Sequence, residues 1–494
     1  MSDGGRRVPV EGVEVPTDHF IDGRRVGGQA RFEVRSPIDW DGWELAAVAA
    51  GGVAEVDLAV AAARRAFPAW AALGPARRRE HLGAFADAIE AAVPELAAVE
   101  CADNGSLLEA MRERVLPRAA SNIRFFADFA AERLEQPPRV LAGGERNRVR
   151  YDPCGVVAVS TPWNAPLMLA TWRVGPALAA GNTVVLKPPE WAPLTCSMLG
   201  DLAAAAGLPA GVLNIVHGSG AGAGAPLTGH PDVDRVAFTG SPLTARTVYR
   251  DAAAALTPVS FELGGKSPFL VFADCDLDAA AATAAYQYDN AGQVCLAGTR
   301  LLVEQSVLEP FLARLRERVE AIVVGDPRRA DTTYGPLIHP VALERVTARV
   351  ARARDDGARL LFGGQSLGGL YWPPTLFVDV PEGAEILRTE VFGPVLTLQG
   401  FADEAQAIAM ANDSSYGLAA TVFTGSAQRS DRVSAALVAG TVWVNCFYVR
   451  DLETPFGGAR ESGIGREGGR HSFDFYCDVK TVCERTTGWQ DGAA

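Results

Sequence analysis

Short apolar runs alternate with longer stretches of helical character between residues 155 and 263. The apolar runs are rich in Val, Ile and Leu and occupy 155–159, 182–187, 212–216, 234–240 and 258–263. The stretches between them have the length and composition of helices and occupy 164–180, 191–206, 218–228 and 242–255. Because buried strands that alternate with helices form parallel sheets, this pattern predicts an open sheet of the Rossmann type.

The flanking segments predict small strands, helices, a hairpin and a second α/β region. Residues 1–50 contain apolar patches interrupted by Gly, Pro and Asp, and residues 54–133 carry apolar positions at helical spacing. Pro and Gly pairs with alternating residues predict a projecting hairpin over 135–153. A second α/β pattern occupies 264–457, and the alternation at 475–484 predicts a last strand.

Composition and charge are those of an acidic globular protein. Of 494 residues, 48% are hydrophobic and 21% charged, and the formal net charge is −13. The length predicts about two to four domains. The acidic balance argues against nucleic acid as the main partner, since phosphate binding needs a basic face. No signal peptide is recognisable and no apolar run reaches about 18–20 residues, so a cytoplasmic location is expected.

The eight cysteines and six histidines lack the spacing of disulfide frameworks or metal sites. Free thiols and no bound metal are therefore expected. Only three lysines occur, Lys187, Lys266 and Lys480, while every other basic residue is an arginine. Such a lysine is a candidate for a role that arginine cannot fill. For Lys266 the simplest expectation is a structural ion pair.

Polar segments follow four of the predicted strands, at 160–164, 188–190, 239–241 and 262–266. Ligands of open α/β sheets bind at the carboxyl ends of the strands, so a dinucleotide site is expected there. No G-x-G-x-x-G fingerprint is present. The glycine and serine of the third segment could bind a phosphate, although a simple helix N-cap is the more economical interpretation of the serine.

Eight motifs along the chain together resemble the aldehyde dehydrogenase family. In order they are STPWN, LKPPE, AFTGS, FELGGK, NAGQVC, EVFGP, GTVWVN and PFGGARESGIGREGG. They span essentially the whole chain, and eight motifs in a fixed order are highly specific. The resemblance implies an NAD-dependent enzyme that oxidises an aldehyde to a carboxylic acid.

The resemblance also implies a fold and its division into domains. The fold is α/β, with a Rossmann-like cofactor domain, an α/β catalytic domain and a small β oligomerisation element. The expected NAD-binding domain comprises 1–134 and 153–263, the catalytic domain 264–457, and the oligomerisation element 135–152 and 474–494. A homodimer or homotetramer is expected, with a small-molecule aldehyde as substrate and neither nucleic acid nor membrane as partner.

Three residues match the catalytic positions of the family. Cys295 matches the nucleophile, whose thiolate attacks the aldehyde carbon to give a thiohemiacetal. Asn164 matches the oxyanion-hole residue, which acts with the backbone N–H of Cys295. Hydride transfer to the nicotinamide leaves a thioacyl enzyme, and Glu262 matches the base that activates water for its hydrolysis. From composition alone, Cys295 would be inert packing like most buried cysteines.

The resemblance assigns a cofactor site for NAD and no metal site. Lys187 and Glu190 match residues that bind the adenosine ribose, and a carboxylate there disfavours the 2′-phosphate of NADP. Ser241 matches a pyrophosphate contact, while Glu390 and Phe392 match contacts of the nicotinamide ribose and ring. The complete expected set is Trp163, Lys187, Glu190, Gly220, Gly240, Ser241, Glu390 and Phe392.

The expected substrate site contains Arg118, Arg450 and Trp172. Arg118 and Arg450 match tunnel positions that are often apolar or aromatic in the family, and Ala165 leaves room beside the oxyanion residue. Two arginines suggest a substrate with a distal carboxylate. The chain also resembles the branch that oxidises 2-hydroxymuconic, 2-aminomuconic and 5-carboxymethyl-2-hydroxymuconic semialdehydes.

Two alternatives remain open at this stage. One is a broad-specificity or amino-aldehyde dehydrogenase of the betaine aldehyde type, whose cationic substrate would favour an aromatic or acidic tunnel. The other is a catalytically silent structural protein built on the same fold. Each arginine could also be an ordinary solvated surface residue, because arginine is abundant in this chain.

Overall fold

The structure, a computed structural model, describes residues 5–485. The predicted end of the oligomerisation element, 486–494, lies outside the described residues. The strands are β1 Arg7–Val10, β2 Val13–Pro16, β3 His19–Ile21, β4 Arg24–Val26, β5 Arg31–Arg35, β6 Glu44–Ala49, β7 Arg139–Val140, β8 Arg146–Pro153, β9 Val156–Ser160, β10 Thr183–Lys187, β11 Leu213–Ile215, β12 Arg235–Gly240, β13 Val259–Leu263, β14 Pro268–Val271, β15 Arg300–Glu304, β16 Arg359–Phe362, β17 Thr375–Val378, β18 Val395–Phe401, β19 Ala419–Phe423, β20 Thr441–Val444, β21 Gly463–Ile464 and β22 Cys477–Glu484.

The α-helices alternate with these strands along the chain. They are α1 Val53–Ala72, α2 Gly74–Ala91, α3 Val93–Asn104, α4 Leu108–Ala110, α5 Leu116–Glu132, α6 Pro166–Ala180, α7 Leu194–Ala205, α8 Ala225–Thr228, α9 Pro242–Ala253, α10 Leu277–Ala285, α11 Leu308–Glu320, α12 Pro340–Asp355, α13 Glu404–Asn412, α14 Ala427–Ala436 and α15 Gly469–Tyr476. Within the described residues, no helix is both long and apolar enough to cross a membrane.

The first large sheet has the strand order β21-β13-β12-β9-β10-β11-β3-β4. Its five central strands, β13, β12, β9, β10 and β11, pair in parallel. The order in which strands are added to the sheet reverses between β9 and β12. The strands β10 and β11 are added on one side of β9, and β12 and β13 are added on the other. Such a reversal opens a crevice at the carboxyl ends of the strands, where ligands bind. The predicted parallel sheet is confirmed.

The second large sheet has the order β16-β17-β18-β15-β14-β19-β20, with only the β16–β17 pair antiparallel. The inner strands β14, β15 and β19 are buried on both faces, which explains their nearly continuous apolar sequences. The step from β13 to β14, over residues 263–268, leads from one sheet to the other.

A third sheet joins the hairpin of β7 and β8 to β22 near the end of the chain, all antiparallel. The strand predicted for 475–484 begins at Cys477, because residues 469–476 form helix α15. Lys480 of β22 forms an ion pair with Asp152 of β8 inside this sheet.

The largest hydrophobic core forms where α5 and α6 pack beside the first sheet. Ile123 and Phe126 of α5 are fully buried, and the Phe126 ring lies 5.1 Å from that of Trp172 on α6. Helix α6 begins two residues after Asn164, and α5 carries Arg118 in its first turn. The core therefore fixes the two helices from which predicted site residues project.

Candidate active site

The segment before Cys295 has an unusual backbone. Asn290, Ala291 and Gly292 have φ values of 51°, 54° and 66°, all in the left-handed region. A Cβ at Gly292 would lie 2.3 Å from the carbonyl oxygen of Gly393, so only glycine fits there. Consecutive left-handed residues are strained and persist only where the surrounding structure holds them.

Gln293 restrains this left-handed segment through hydrogen bonds, and the residue is only 1% exposed. Its Oε1 accepts from the backbone N–H of Ile338 at 2.9 Å, and its Nε2 donates to the carbonyls of Asn290 at 3.1 Å and Pro336 at 3.4 Å. The nucleophile segment is thus tied to the chain at 336–338. Sequence reasoning missed this residue, although it lies inside the NAGQVC motif.

Asn164 meets the same segment from the other side. Its Nδ2 donates to the carbonyl of Gln293 at 3.0 Å, and its own carbonyl accepts from Asn290 Nδ2 at 3.4 Å. The structure therefore brings the predicted oxyanion amide beside the loop that carries Cys295, although 131 positions separate the two in the sequence.

Glu262, near the end of β13, is 7% exposed, and neither of its carboxylate oxygens has a hydrogen-bond partner within residues 5–485. A Cβ at Gly457 would lie 2.7 Å from Oε1, so glycine makes space for the carboxylate. Burial raises the pKa of Glu262 to about 7, although Arg173, Arg450 and Arg466 lower it. A buried carboxyl with a pKa near neutrality and free oxygens can accept a proton at physiological pH.

The resting thiol of Cys295 is protonated at neutral pH. Burial and, to a smaller extent, the nearby carboxylates of Glu390 and Glu262 raise its pKa to about 12, against the opposing effect of the backbone N–H groups of Cys295 and Leu296. Nucleophilic attack therefore requires that the proton leave during the reaction or that a bound cation lower the pKa.

Glu390 lies against the two glycines that follow β13. Its Oε1 accepts from the N–H of Gly265 at 3.0 Å, and a Cβ at Gly264 would collide with its other oxygen. A Cβ at Gly265 would lie 2.9 Å from the carbonyl of Cys295. The glycine pair thus allows a carboxylate and the nucleophile loop to approach one strand end.

The prediction that Lys266 forms a structural ion pair is wrong. Its side chain is buried, and Nζ has no hydrogen-bond partner among the described residues. Burial lowers its pKa to about 7, with Arg300 lowering it and Glu390 raising it. A buried amine without a strong partner loses its proton more easily than an exposed one.

The predicted adenosine contacts meet at the ends of β10 and β11. Lys187 Nζ lies 4.0 Å from Glu190 Oε2, which also accepts from the N–H of Gly220 at 3.0 Å. Lys187 is 6% exposed, and burial lowers its pKa. The three residues form a small polar cluster at the predicted ligand edge of the sheet.

Gly240 ends β12, and Ser241 caps α9. Ser241 Oγ accepts from the N–H of Thr244 at 3.2 Å, so the N-cap interpretation holds in this structure. Because Ser241 is exposed at a helix N-terminus, an anion could still approach it. Its role as a phosphate contact stays a prediction.

The other end of the predicted cofactor channel is aromatic. The rings of Trp163 and Phe392 lie 5.3 Å apart at 85°, and Phe392 has a φ of 52°. His339 packs edge-on against Trp163 at 6.1 Å. Nearby, Arg345 has buried Nε and Nη2 atoms without a partner among the described residues, and its charge acts on Glu390. These orphaned donors suit a polar ligand.

The two predicted tunnel arginines lie close enough for their charges to interact. Arg450 is held between the rings of Trp172 and Phe456, with Cζ 4.8 and 4.1 Å from the ring centres. Burial and the neighbouring charge of Arg118 lower the pKa of Arg450 to about 10, while Glu262 and Asp451 raise it. Arg118 donates to Asn122 Oδ1 at 3.1 Å. Within residues 5–485, neither guanidinium forms an ion pair with a carboxylate.

Comparison with known proteins identifies the chain. The sequence profile of the aldehyde dehydrogenase family matches residues 25–482. The chain belongs to the aldehyde dehydrogenase family. It is 44% identical to a 2-hydroxymuconic semialdehyde dehydrogenase of Pseudomonas sp. (strain CF600), over 94% of this chain and 98% of that protein. It is 40% identical to a betaine aldehyde dehydrogenase of Cereibacter sphaeroides, over 94% and 96% of the two chains.

A solved structure shows the same fold. An indole-3-acetaldehyde dehydrogenase of P. syringae, crystallised with NAD+, superimposes with a TM-score of 0.93 at 38% identity, covering 96% of this chain and 97% of that one. The predicted family and the predicted aldehyde dehydrogenase fold are confirmed.

The aldehyde dehydrogenase fold recruits further residues to which the sequence analysis assigned no role. Five of them support the predicted site from behind: Asn122, Arg173, Gln293, Arg345 and Glu467. Gln293 bonds to Ile338 and Glu467 to Trp172 across long sequence separations, which periodicity does not indicate, although both residues lie inside motifs. For Asn122, Arg173 and Arg345, the signal available in the sequence is a polar residue among apolar ones.

Proposed function

We propose that this protein oxidises a carboxylate-bearing semialdehyde of the muconic type to the dicarboxylic acid, with NAD as the hydride acceptor. The observation that carries the substrate class is the pair of tunnel arginines, Arg118 and Arg450, which form no ion pair in the described structure, although Glu262 and Asp451 act on the charge of Arg450. Cationic groups that are partly buried and unpaired bind a carboxylate strongly, because each charge compensates the other.

The first chemical step is addition of the Cys295 sulfur to the aldehyde carbon. A C–S bond forms, the carbonyl π pair moves to oxygen, and the thiol proton passes to a base, for which Glu262 has a suitable pKa. Asn164 Nδ2 and the N–H of Cys295 donate to the resulting oxyanion. In the resting state the Asn164 amide donates to Gln293, which keeps it beside the nucleophile.

NAD, when bound, removes a hydride from the substrate carbon and leaves a thioester on Cys295. Lys187, Glu190 and Gly220 would hold its adenosine end, and Glu390 would lie at its nicotinamide end. The buried ammonium of Lys187 and the orphaned donors of Arg345 fit a polar ligand of this size.

Hydrolysis of the thioester requires a base. After releasing the thiol proton to solvent, Glu262 removes a proton from water while the water oxygen bonds to the acyl carbon. The sulfur departs as a thiolate and takes that proton back from Glu262, which restores the resting thiol and carboxylate. The free carboxylate oxygens of Glu262 and its raised pKa suit this role. The product is the free acid.

The charge of the tunnel argues against the alternative of an amino-aldehyde substrate. A quaternary ammonium group would meet two guanidinium groups whose charges already repel one another. Like charges in a partly buried site cost several kcal/mol, so cationic aldehydes should be poor substrates. A catalytically silent protein is disfavoured by the intact set of Cys295, Asn164 and Glu262, and an NADH absorbance assay separates this case.

The decisive experiment is a steady-state comparison of 2-hydroxymuconic semialdehyde, propanal and betaine aldehyde in the wild type, Arg450→Met and Arg118→Met. Losing a charge-assisted hydrogen bond costs about 1.5–3 kcal/mol, or roughly 10- to 100-fold in kcat/KM. The loss should fall on the semialdehyde through KM and spare propanal. Arg112→Met, an exposed arginine of the same segment, is the control. Equal losses on both substrates would refute the proposal.

A further inference from the structure

The two aromatic rings that hold Arg450 are both attached to Glu467. The Trp172 indole N–H donates to Glu467 Oε2 at 2.5 Å. Phe456 and Glu467 exchange two backbone hydrogen bonds of 2.7 Å, forming a short antiparallel bridge. Glu467 therefore fixes both rings that contact Arg450, Trp172 through its side chain and Phe456 through its backbone.

Glu467 is itself held by a buried network. Its Oε1 forms an ion pair with Arg173, and the two side chains are 4% and 0% exposed. Arg173 also donates to Ser260 Oγ at 3.1 Å and to Thr239 Oγ1 at 3.0 Å. A buried carboxylate with all these partners has little freedom to move, so the position of the Trp172 ring is set from behind.

We infer that Glu467 is a positioning residue for substrate charge specificity, acting on Arg450 through Trp172 and Phe456. This inference rests on the proposed preference for carboxylate-bearing substrates. Glu467 does not itself contact the guanidinium. Its effect is to hold both rings so that the donors of Arg450 point in one direction.

The physical reason lies in how Arg450 is held. Arginine has many rotamers, and within residues 5–485 no carboxylate anchors this one. Stacking against two fixed rings restricts the plane of the guanidinium while leaving its edge N–H groups free. If one ring tilts, the fork is misaligned with the incoming carboxylate, and binding weakens without any loss of charge.

Glu467→Gln tests the inference, because an amide cannot satisfy both Arg173 and the Trp172 indole as the carboxylate does. The expected result is a fall of about 10-fold in the ratio of kcat/KM for 2-hydroxymuconic semialdehyde to that for propanal, carried by KM. The kcat for propanal at pH 9 should stay within about twofold of wild type. Glu453→Gln, an exposed glutamate of the loop that precedes β21, is the control.

A second variant covers the case in which Glu467→Gln does not fold. Trp172→Phe keeps an aromatic ring next to Arg450 but removes the indole N–H that donates to Glu467. The ratio of kcat/KM for 2-hydroxymuconic semialdehyde to that for propanal should fall in this variant too. Glu467→Gln also removes the negative charge that pairs with Arg173. The unpaired positive charge of Arg173 then lowers the pKa of Glu262 more strongly. The acid limb of propanal turnover should therefore move to lower pH in Glu467→Gln but not in Trp172→Phe.

Arg450→Met, measured in parallel, separates the two proposals. If Arg450→Met leaves the ratio unchanged, the proposed substrate class fails. If Arg450→Met lowers the ratio while Glu467→Gln and Trp172→Phe leave it at the wild-type value, the positioning role of Glu467 is overturned and the substrate proposal stands.

Discussion

The side-chain amide of Asn164 donates to the backbone carbonyl of Gln293 at 3.0 Å, two residues before Cys295. This hydrogen bond joins the start of α6 to the loop that carries the nucleophile. The amide is therefore held beside the position where an oxyanion would form. A donor that is already oriented stabilises developing charge without a reorganisation cost.

Replacing Asn164 by Ala should lower kcat by about 10²- to 10³-fold, the usual effect of removing one oxyanion donor. NAD affinity, measured by quenching of tryptophan fluorescence, should change by less than about threefold, because the amide is assigned to the reacting centre. Asn147→Ala, on β8 of the third sheet, serves as the control. A loss of only a few-fold would remove Asn164 from the oxyanion site.

Gln293→Met keeps the side-chain volume but removes three hydrogen bonds that restrain the left-handed segment. Each buried partner left unsatisfied costs about 1–3 kcal/mol, so the melting temperature should fall. The rate of Cys295 alkylation by iodoacetamide should also change, because the loop that presents the thiol is released. Gln293→Glu restores one acceptor for Ile338 and should recover part of the stability. Unchanged alkylation in Gln293→Met would limit the residue to a stabilising role.

Because the Cys295 thiol is protonated at rest, its rate of alkylation should depend on pH. With a pKa of about 12, Cys295 is almost wholly thiol at pH 7, and its thiolate fraction grows about tenfold per pH unit up to that value. Alkylation of the cofactor-free protein should accelerate accordingly between pH 7 and pH 10. Cys295→Ala should lose turnover, retain NAD binding and show no such labelled site. A labelling rate that levels off near pH 8 would contradict the raised pKa.

Glu262 must be deprotonated to act as a base, so turnover should fall as pH drops below its pKa of about 7. Arg450 favours the carboxylate, so Arg450→Met should raise that pKa and move the acid limb of propanal turnover to higher pH. Glu262→Gln should give a single NADH burst that is slower than in the wild type, because the thiol loses its proposed base, and then little steady-state turnover. Full steady-state activity in that variant would refute the assignment.

Glu190 lies at the predicted ribose site, where its carboxylate accepts from the N–H of Gly220 at 3.0 Å. A 2′-phosphate would meet this negative charge, so NADP should bind poorly. Glu190→Gln removes the repulsion and should lower the ratio of kcat/KM for NAD to that for NADP by about tenfold, or 1.4 kcal/mol. Glu304→Gln, at the end of a strand in the other sheet, is the control. An unaltered ratio would place the ribose elsewhere.

The sequence by itself determined the architecture and the family. Short apolar runs of β-branched residues between helices favour buried parallel strands, and β9 to β13 follow the predicted segments closely. Eight ordered motifs then marked the strand ends that carry chemistry. Local pattern sufficed because strand formation and strand-end position are local properties.

Only the tertiary structure decided how the site is supported. Trp172 and Glu467 are 295 positions apart and share one hydrogen bond, which no periodicity could announce. The ion pair expected for Lys266 is missing because burial placed its amine where no carboxylate reaches it within residues 5–485. Buried polar contacts depend on which distant segments the core brings together, and that depends on the packing of the whole chain.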